Sequence, residues 1–81
     1  MNNIDFEKVR DIGNDLIAKM CEKFPGANYT VFICAWQDDT FQVVCRNGKP
    51  TKDGNVIMRD FKWYDGNIEY MESDGLTGKI L

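Results

Sequence analysis

The stretch Arg59-Asp60-Phe61-Lys62-Trp63-Tyr64-Asp65-Gly66-Asn67-Ile68-Glu69-Tyr70-Met71-Glu72 decides the fold. Asp65-Gly66 is a favoured hairpin turn because both positions tolerate positive φ. Folding the chain about it sets Trp63 opposite Ile68, Lys62 opposite Glu69, Phe61 opposite Tyr70 and Arg59 opposite Glu72. Apolar pairs alternate with opposite-charge pairs, each contributing a few tenths to about 1 kcal/mol. The pattern predicts an antiparallel hairpin.

Working outward, residues 29–37 and 40–46 are rich in β-branched and aromatic side chains and are separated by Asp38-Asp39, the signature of an earlier hairpin. Folded about that turn, Trp36 faces Phe41, Cys34 faces Val43 and Phe32 faces Cys45. Strand side chains alternate in direction, so all of these fall on one face, which is expected to be the core. The polar residues 47–54 read as the loop joining the two hairpins.

Residues 4–24 change period. Phe6, Val9, Gly13, Leu16, Met20 and Phe24 follow a three-four spacing widened by Ile12 and Ile17, and charged residues occupy the other side. Asn2 or Asn3 can cap this helix, with Asp5 in its first turn, and Pro25-Gly26 ends it. Gly13 in the interior costs roughly 0.5–1 kcal/mol, which predicts a close approach to the sheet. The expected fold is therefore α+β: one N-terminal helix packed on a four-stranded antiparallel β-meander, residues 1–81 forming one domain. The glycine-containing residues 73–81 are either a flexible tail or, through Lys79-Ile80-Leu81, a short edge strand.

The 81 residues contain no histidine and three cysteines, Cys21, Cys34 and Cys45. An odd number of thiols cannot pair fully within one chain, and none stands in a C-x-x-C arrangement. No closed zinc site or calcium loop can be assembled, so no metal or cofactor is expected. The N-terminus lacks the basic and apolar regions of a secretory signal, and no stretch reaches membrane-spanning length. Free thiols then suggest the reducing cytoplasm. Ten basic residues are interleaved with thirteen acidic ones for a net charge of −3. That balance argues against nucleic-acid binding, which needs clustered Lys and Arg.

Several further motifs assign no site. Cys34 and Cys45 lie on the expected core face, and a cysteine nucleophile would lack a histidine base. Asp60, Asp65, Glu69, Glu72 and Asp74 cluster in the last hairpin; Glu69 and Glu72 have basic cross-strand partners and Asp65 belongs to the turn, so a solvated sheet face is expected rather than a catalytic carboxylate pair. Gly75-Leu76-Thr77-Gly78-Lys79 is too short between its glycines for a phosphate loop and is followed by Ile80. Gln42-Val43-Val44 is similar to the Gln-x-Val of cystatin-type protease inhibitors. In that family the motif forms a hairpin loop and ends in glycine; here it lies within a strand with Arg46 in the glycine's place, so it assigns no family.

The second face of the sheet carries the functional expectation. One helix covers one face, and the other should be polar in an ordinary monomer. Yet Val31, Ile33, Ala35 and Val44 are assigned there, joined by Val56, Met58, Tyr64 and Met71 if no bulge separates the second and third strands. Such a face marks a contact surface. The expected function is a small non-enzymatic protein-binding module, an inhibitor or regulator that occludes another protein, homodimeric and of phage or mobile-element type. Its expected interface is Val31, Ile33, Val44, Met58 and Met71, rimmed by Glu69 and Glu72. Two alternatives stand beside it: an enzyme or ligand carrier using Cys21 in a helix–sheet pocket, and a weak RNA or single-strand binder through Tyr29 and Tyr64.

Overall fold

The computed structural model describes residues 4–81. Helix α1 (Phe6–Lys23) is followed by strands β1 (Thr30–Ala35), β2 (Phe41–Pro50), β3 (Val56–Tyr64) and β4 (Asn67–Asp74). The strands form one antiparallel sheet in the order β1-β2-β3-β4. This is the expected α+β plan, a helix layer on a four-stranded meander.

Helix α1 begins where Asp5 caps it. The Asp5 carboxylate accepts from the backbone N–H of Glu7 at 3.0 Å and of Lys8 at 3.3 Å, satisfying donors that have no partner within the helix. Asp5 is thus the cap rather than a first-turn residue, and Asn2 and Asn3 lie outside the described residues. At the other end the Phe24 N–H still donates to Met20, before Pro25 and the positive φ of Gly26 turn the chain away. The buried stripe is Ile12, Gly13, Leu16 and Met20. Phe6, expected within it, is 71% exposed.

The helix lies over β2 and β3. Leu16 and Met20 are wholly buried with Val43 and Cys45, and Ile12 and Phe61 complete the core. Each such side chain contributes about 1.5–3 kcal/mol on burial. Aromatic pairs close both ends. Phe41 stacks on Trp63 with Lys8 above the indole, and Tyr70 sits between Phe24 and Phe61 with Lys23 above its ring. Gly13 does not need to be glycine for space, because a Cβ there would meet Val31 Cγ1 at 3.6 Å, an ordinary contact.

The second hairpin has the expected register: Trp63–Ile68, Lys62–Glu69, Phe61–Tyr70 and Arg59–Glu72. Asp65 and Gly66 both take positive φ, 50° and 83°, as the turn demands. The first hairpin is shifted by one residue from expectation. Ala35 pairs with Phe41, Ile33 with Val43 and Val31 with Cys45. The cause is the turn. The Trp36 N–H donates to the Thr40 carbonyl at 2.9 Å, and Asp39 takes φ 65°. Gln37-Asp38-Asp39 therefore form a three-residue loop with a left-handed last position, a common alternative to the two-residue turn. A one-residue slip sends every side chain of a strand to the other face. Val31, Ile33 and Ala35 consequently share the helix face with Val43 and Cys45, and Phe32 and Cys34 move to the open face.

Two further boundaries differ. Strand β2 runs on through Asn47-Gly48-Lys49-Pro50, expected as loop, and the tight turn falls at residues 51–55. Asn47 is held in the strand by burial: its amide donates to the Asn28 carbonyl at 2.6 Å, and its oxygen accepts from Arg59 Nε at 2.8 Å. The final residues fold back on β4. Ser73 bridges Ile80, and the Leu81 N–H donates to Glu72 at 2.8 Å. The Asp74 carboxylate accepts from the N–H groups of Leu76 and Thr77.

Candidate functional site on the open sheet face

Among the described residues no helix covers the face of the sheet opposite α1. Register places Phe32 and Cys34 of β1, Val44, Arg46 and Gly48 of β2, Met58, Asp60 and Tyr64 of β3, and Glu69 and Met71 of β4 on it. Of the residues expected to form an interface, Val44, Met58, Met71 and Glu69 lie on this face. Val31, Ile33 and Glu72 lie on the helix face, for the register reason above in the case of the first two. Glu72 was placed by its pairing with Arg59 and accepts from the Tyr70 hydroxyl at 2.6 Å.

The centre of the open face is denser than an uncovered sheet would suggest. Val44 is only 3% exposed, screened between its cross-strand neighbours Phe32 and Lys62. Beside it Asp60 is 6% exposed. Its two carboxylate oxygens accept from Arg46 Nε at 2.8 Å and from a terminal guanidinium nitrogen at 2.9 Å. This bidentate geometry is the strong form of an Arg–carboxylate pair. The hydrogen bond to Asp60 raises the Arg46 pKa, so the guanidinium stays charged. The guanidinium also sits 5.1 Å from the centre of the Phe32 ring, a favourable cation–π position. Arg46 thus neutralises a buried carboxylate with one edge while 41% of its side chain stays accessible.

Next to this pair lies a groove of about 430 Å³, lined by Asn28, Tyr29, Thr30, Phe32, Arg46, Gly48 and Met58. At the opposite end of the face Trp36 and Tyr64 meet edge to face, with ring centres 6.1 Å apart, and both are nearly half exposed. The open face therefore carries aromatic and methionine side chains together with Lys62 and Glu69, with a charged groove at one end. Sequence reasoning missed Phe32 and Trp36 because the slipped register turned β1 over. It also passed over Arg46, although the alternation of β2 places Arg46 beside Val44 on this face.

The second hairpin's charges behave differently from expectation. Among the described residues neither Lys62–Glu69 nor Arg59–Glu72 closes to an ion pair. The Arg59 guanidinium turns to Asn47 and lies 3.6 Å from the centre of the Phe24 ring. Burial, followed by its hydrogen bond to Glu72, raises the Tyr70 pKa, so the phenol stays protonated.

The three thiols are free and stand in different settings. Cys45 is fully buried against the helix, and burial pushes its pKa up to about 11. Cys34, expected in the core, is half-buried on the open face, opposite in direction to Cys45. Cys21 is exposed on α1. Among the described residues no group of His, Cys, Asp and Glu is arranged to hold a metal ion, and no helix is long and apolar enough to cross a membrane. Comparison with known proteins found no matching family, no matching curated protein and no matching solved structure.

Proposed function

We propose that this chain is a non-enzymatic protein-binding module that uses the open face of its sheet to occlude or regulate a partner protein. The observation that carries the reading is the strip formed by Phe32, Met58, Met71, Trp36 and Tyr64 around the Arg46–Asp60 pair. Aromatic residues, methionine and arginine are the side chains enriched where proteins meet; Lys62 and Glu69 stand among them on this face. Met58 and Arg46 flank a groove able to receive one protruding partner side chain. Glu69 stands at the rim. The three free thiols suit a reducing compartment such as the cytoplasm.

The experiment uses the chain and its Met58→Glu variant as paired bait. Met58 lies on the face away from the core, so the variant should keep the urea midpoint of the parent within a narrow margin. A protein retained by the parent should bind the variant at least tenfold more weakly by calorimetry. Equal affinity for both, or a parent that retains no specific protein, contradicts the reading.

A further inference from the structure

The two edges of the sheet are unlike. Edge β4 carries Glu69, Glu72 and Asp74, and the C-terminal residues fold against it through the Ser73–Ile80 bridge and the Leu81 hydrogen bond to Glu72. Acidic side chains and a covering segment are the ordinary protections of an exposed edge. Edge β1 is Thr30-Val31-Phe32-Ile33-Cys34-Ala35. It is the strand without a charged residue, it contains no proline, and among the described residues it pairs only with β2. The helix packs mainly on β2 and β3, with Gly13 beside the Val31 side chain of β1.

Its free hydrogen-bonding groups follow from the hairpin. Trp36 and Thr40 are a hydrogen-bonded pair, and such pairs alternate along an antiparallel ladder. The backbone groups of Cys34, Phe32 and Thr30 therefore point to β2, and those of Val31, Ile33 and Ala35 point outward. These outward groups are symmetric about Ile33.

We propose that two copies of this chain pair antiparallel along β1, with a two-fold axis through Ile33. In that register Ile33 meets Ile33 and Val31 meets Ala35, so each outward N–H and C=O of one copy finds its counterpart on the other. Phe32 of each copy stands opposite Cys34 of the second copy on the open face. The pairing is isologous and closed. Neutral strands meet, whereas self-pairing at β4 would bring Glu69, Glu72 and Asp74 together with their own copies. Because the axis is perpendicular to the sheet, both helices lie on one side and the two open faces join into one surface. This inference uses the edge of β1 and stands independently of what the open face binds.

The test is native mass by light scattering over a wide concentration range, combined with amide exchange. The parent chain should reach twice its monomer mass, with the Val31, Ile33 and Ala35 amides gaining protection as it does, while those of Phe32 and Cys34 are protected throughout. Ala35→Pro removes an outward donor and leaves the β2 ladder intact, a tolerated place for proline; it should halve the mass. Val31→Lys, at a 37% exposed position, should do the same without touching the backbone. In a Cys21→Ser background, Phe32→Cys should oxidise to a covalent dimer through Cys34 of the second copy. A parent that stays monomeric, a dimer that survives both edge variants, or β1 amides protected only by a different protein overturns the proposal. A captured partner that binds Ala35→Pro as well as the parent leaves the open-face reading standing whichever way the mass falls.

Discussion

Arg46→Met isolates the feature that organises the open face. The substitution keeps an unbranched stem beside Phe32 and removes both donors from the Asp60 carboxylate, which is 6% exposed. Two unit charges at about 4 Å attract by about 4 kcal/mol at an effective dielectric of 20. Because 41% of the Arg46 side chain remains in solvent, screening lowers this to about 2 kcal/mol. The orphaned carboxylate then carries a desolvation penalty that keeps the loss above that of a surface pair. The expected destabilisation is about 2–3 kcal/mol at neutral pH, read as a lower urea midpoint at unchanged slope. In a domain of this size each kcal/mol lowers the Tm by roughly 4–8 °C. The double variant Arg46→Met, Asp60→Leu should recover most of the loss, because a buried pair exchanged for apolar groups is often neutral. A loss for Arg46→Met below about 0.5 kcal/mol, the level of an exposed pair, would refute the view that Asp60 depends on Arg46.

Four further outcomes follow from particular residues. Gly13→Ala should stabilise the domain by about 0.5–1 kcal/mol in thermal unfolding, since the new Cβ makes an ordinary contact with Val31 and the unfolded chain loses freedom. Gly75→Ala should destabilise it, because a Cβ there would collide with the Val56 carbonyl oxygen. Hydrogen bonds from the Thr77 and Leu76 backbone, and from the Asn55 side chain, hold the Asp74 carboxyl below its ordinary value of 3.8. A lowered folded pKa gives a contribution that is complete above the unfolded value and lost as pH falls through the folded one. The Leu76 and Thr77 amides should therefore lose protection only below about pH 4, and in Asp74→Asn that acid step should vanish. For the thiols, a disulfide reagent at pH 8 should modify Cys21 in the native protein and reach Cys45 only on unfolding, because burial keeps Cys45 protonated.

The helix and the second hairpin were legible in the sequence because their local and long-range signals agree. Asp65-Gly66 admits one tight turn, and the flanking pairs match in only one register. The first hairpin was harder for a physical reason. Val31, Phe32, Ile33 and Cys34 are apolar in succession, so the hydrophobic pattern of β1 does not distinguish its two faces. The register then rests on the turn, and Gln37-Asp38-Asp39 closes as a three-residue loop with Asp39 left-handed. That single residue carried Phe32 and Trp36 to the open face and Val31 and Ile33 to the helix. The continuation of β2 was hidden by the turn-forming residues Asn47-Gly48, which burial of the Asn47 side chain holds in the sheet. Tertiary hydrogen bonding overrode local preference there. The groove beside Gly48 became visible only with that extension.

We propose that a partner docks on the open sheet face. Carbene footprinting of the chain alone and with a protein it has captured tests this most directly. The predicted result is protection of Phe32, Met58 and Met71 in the complex, with Asp11, Asp15 and Lys19 on the outer side of the helix labelled equally in both samples. Protection of the helix residues with Phe32, Met58 and Met71 unchanged would contradict it.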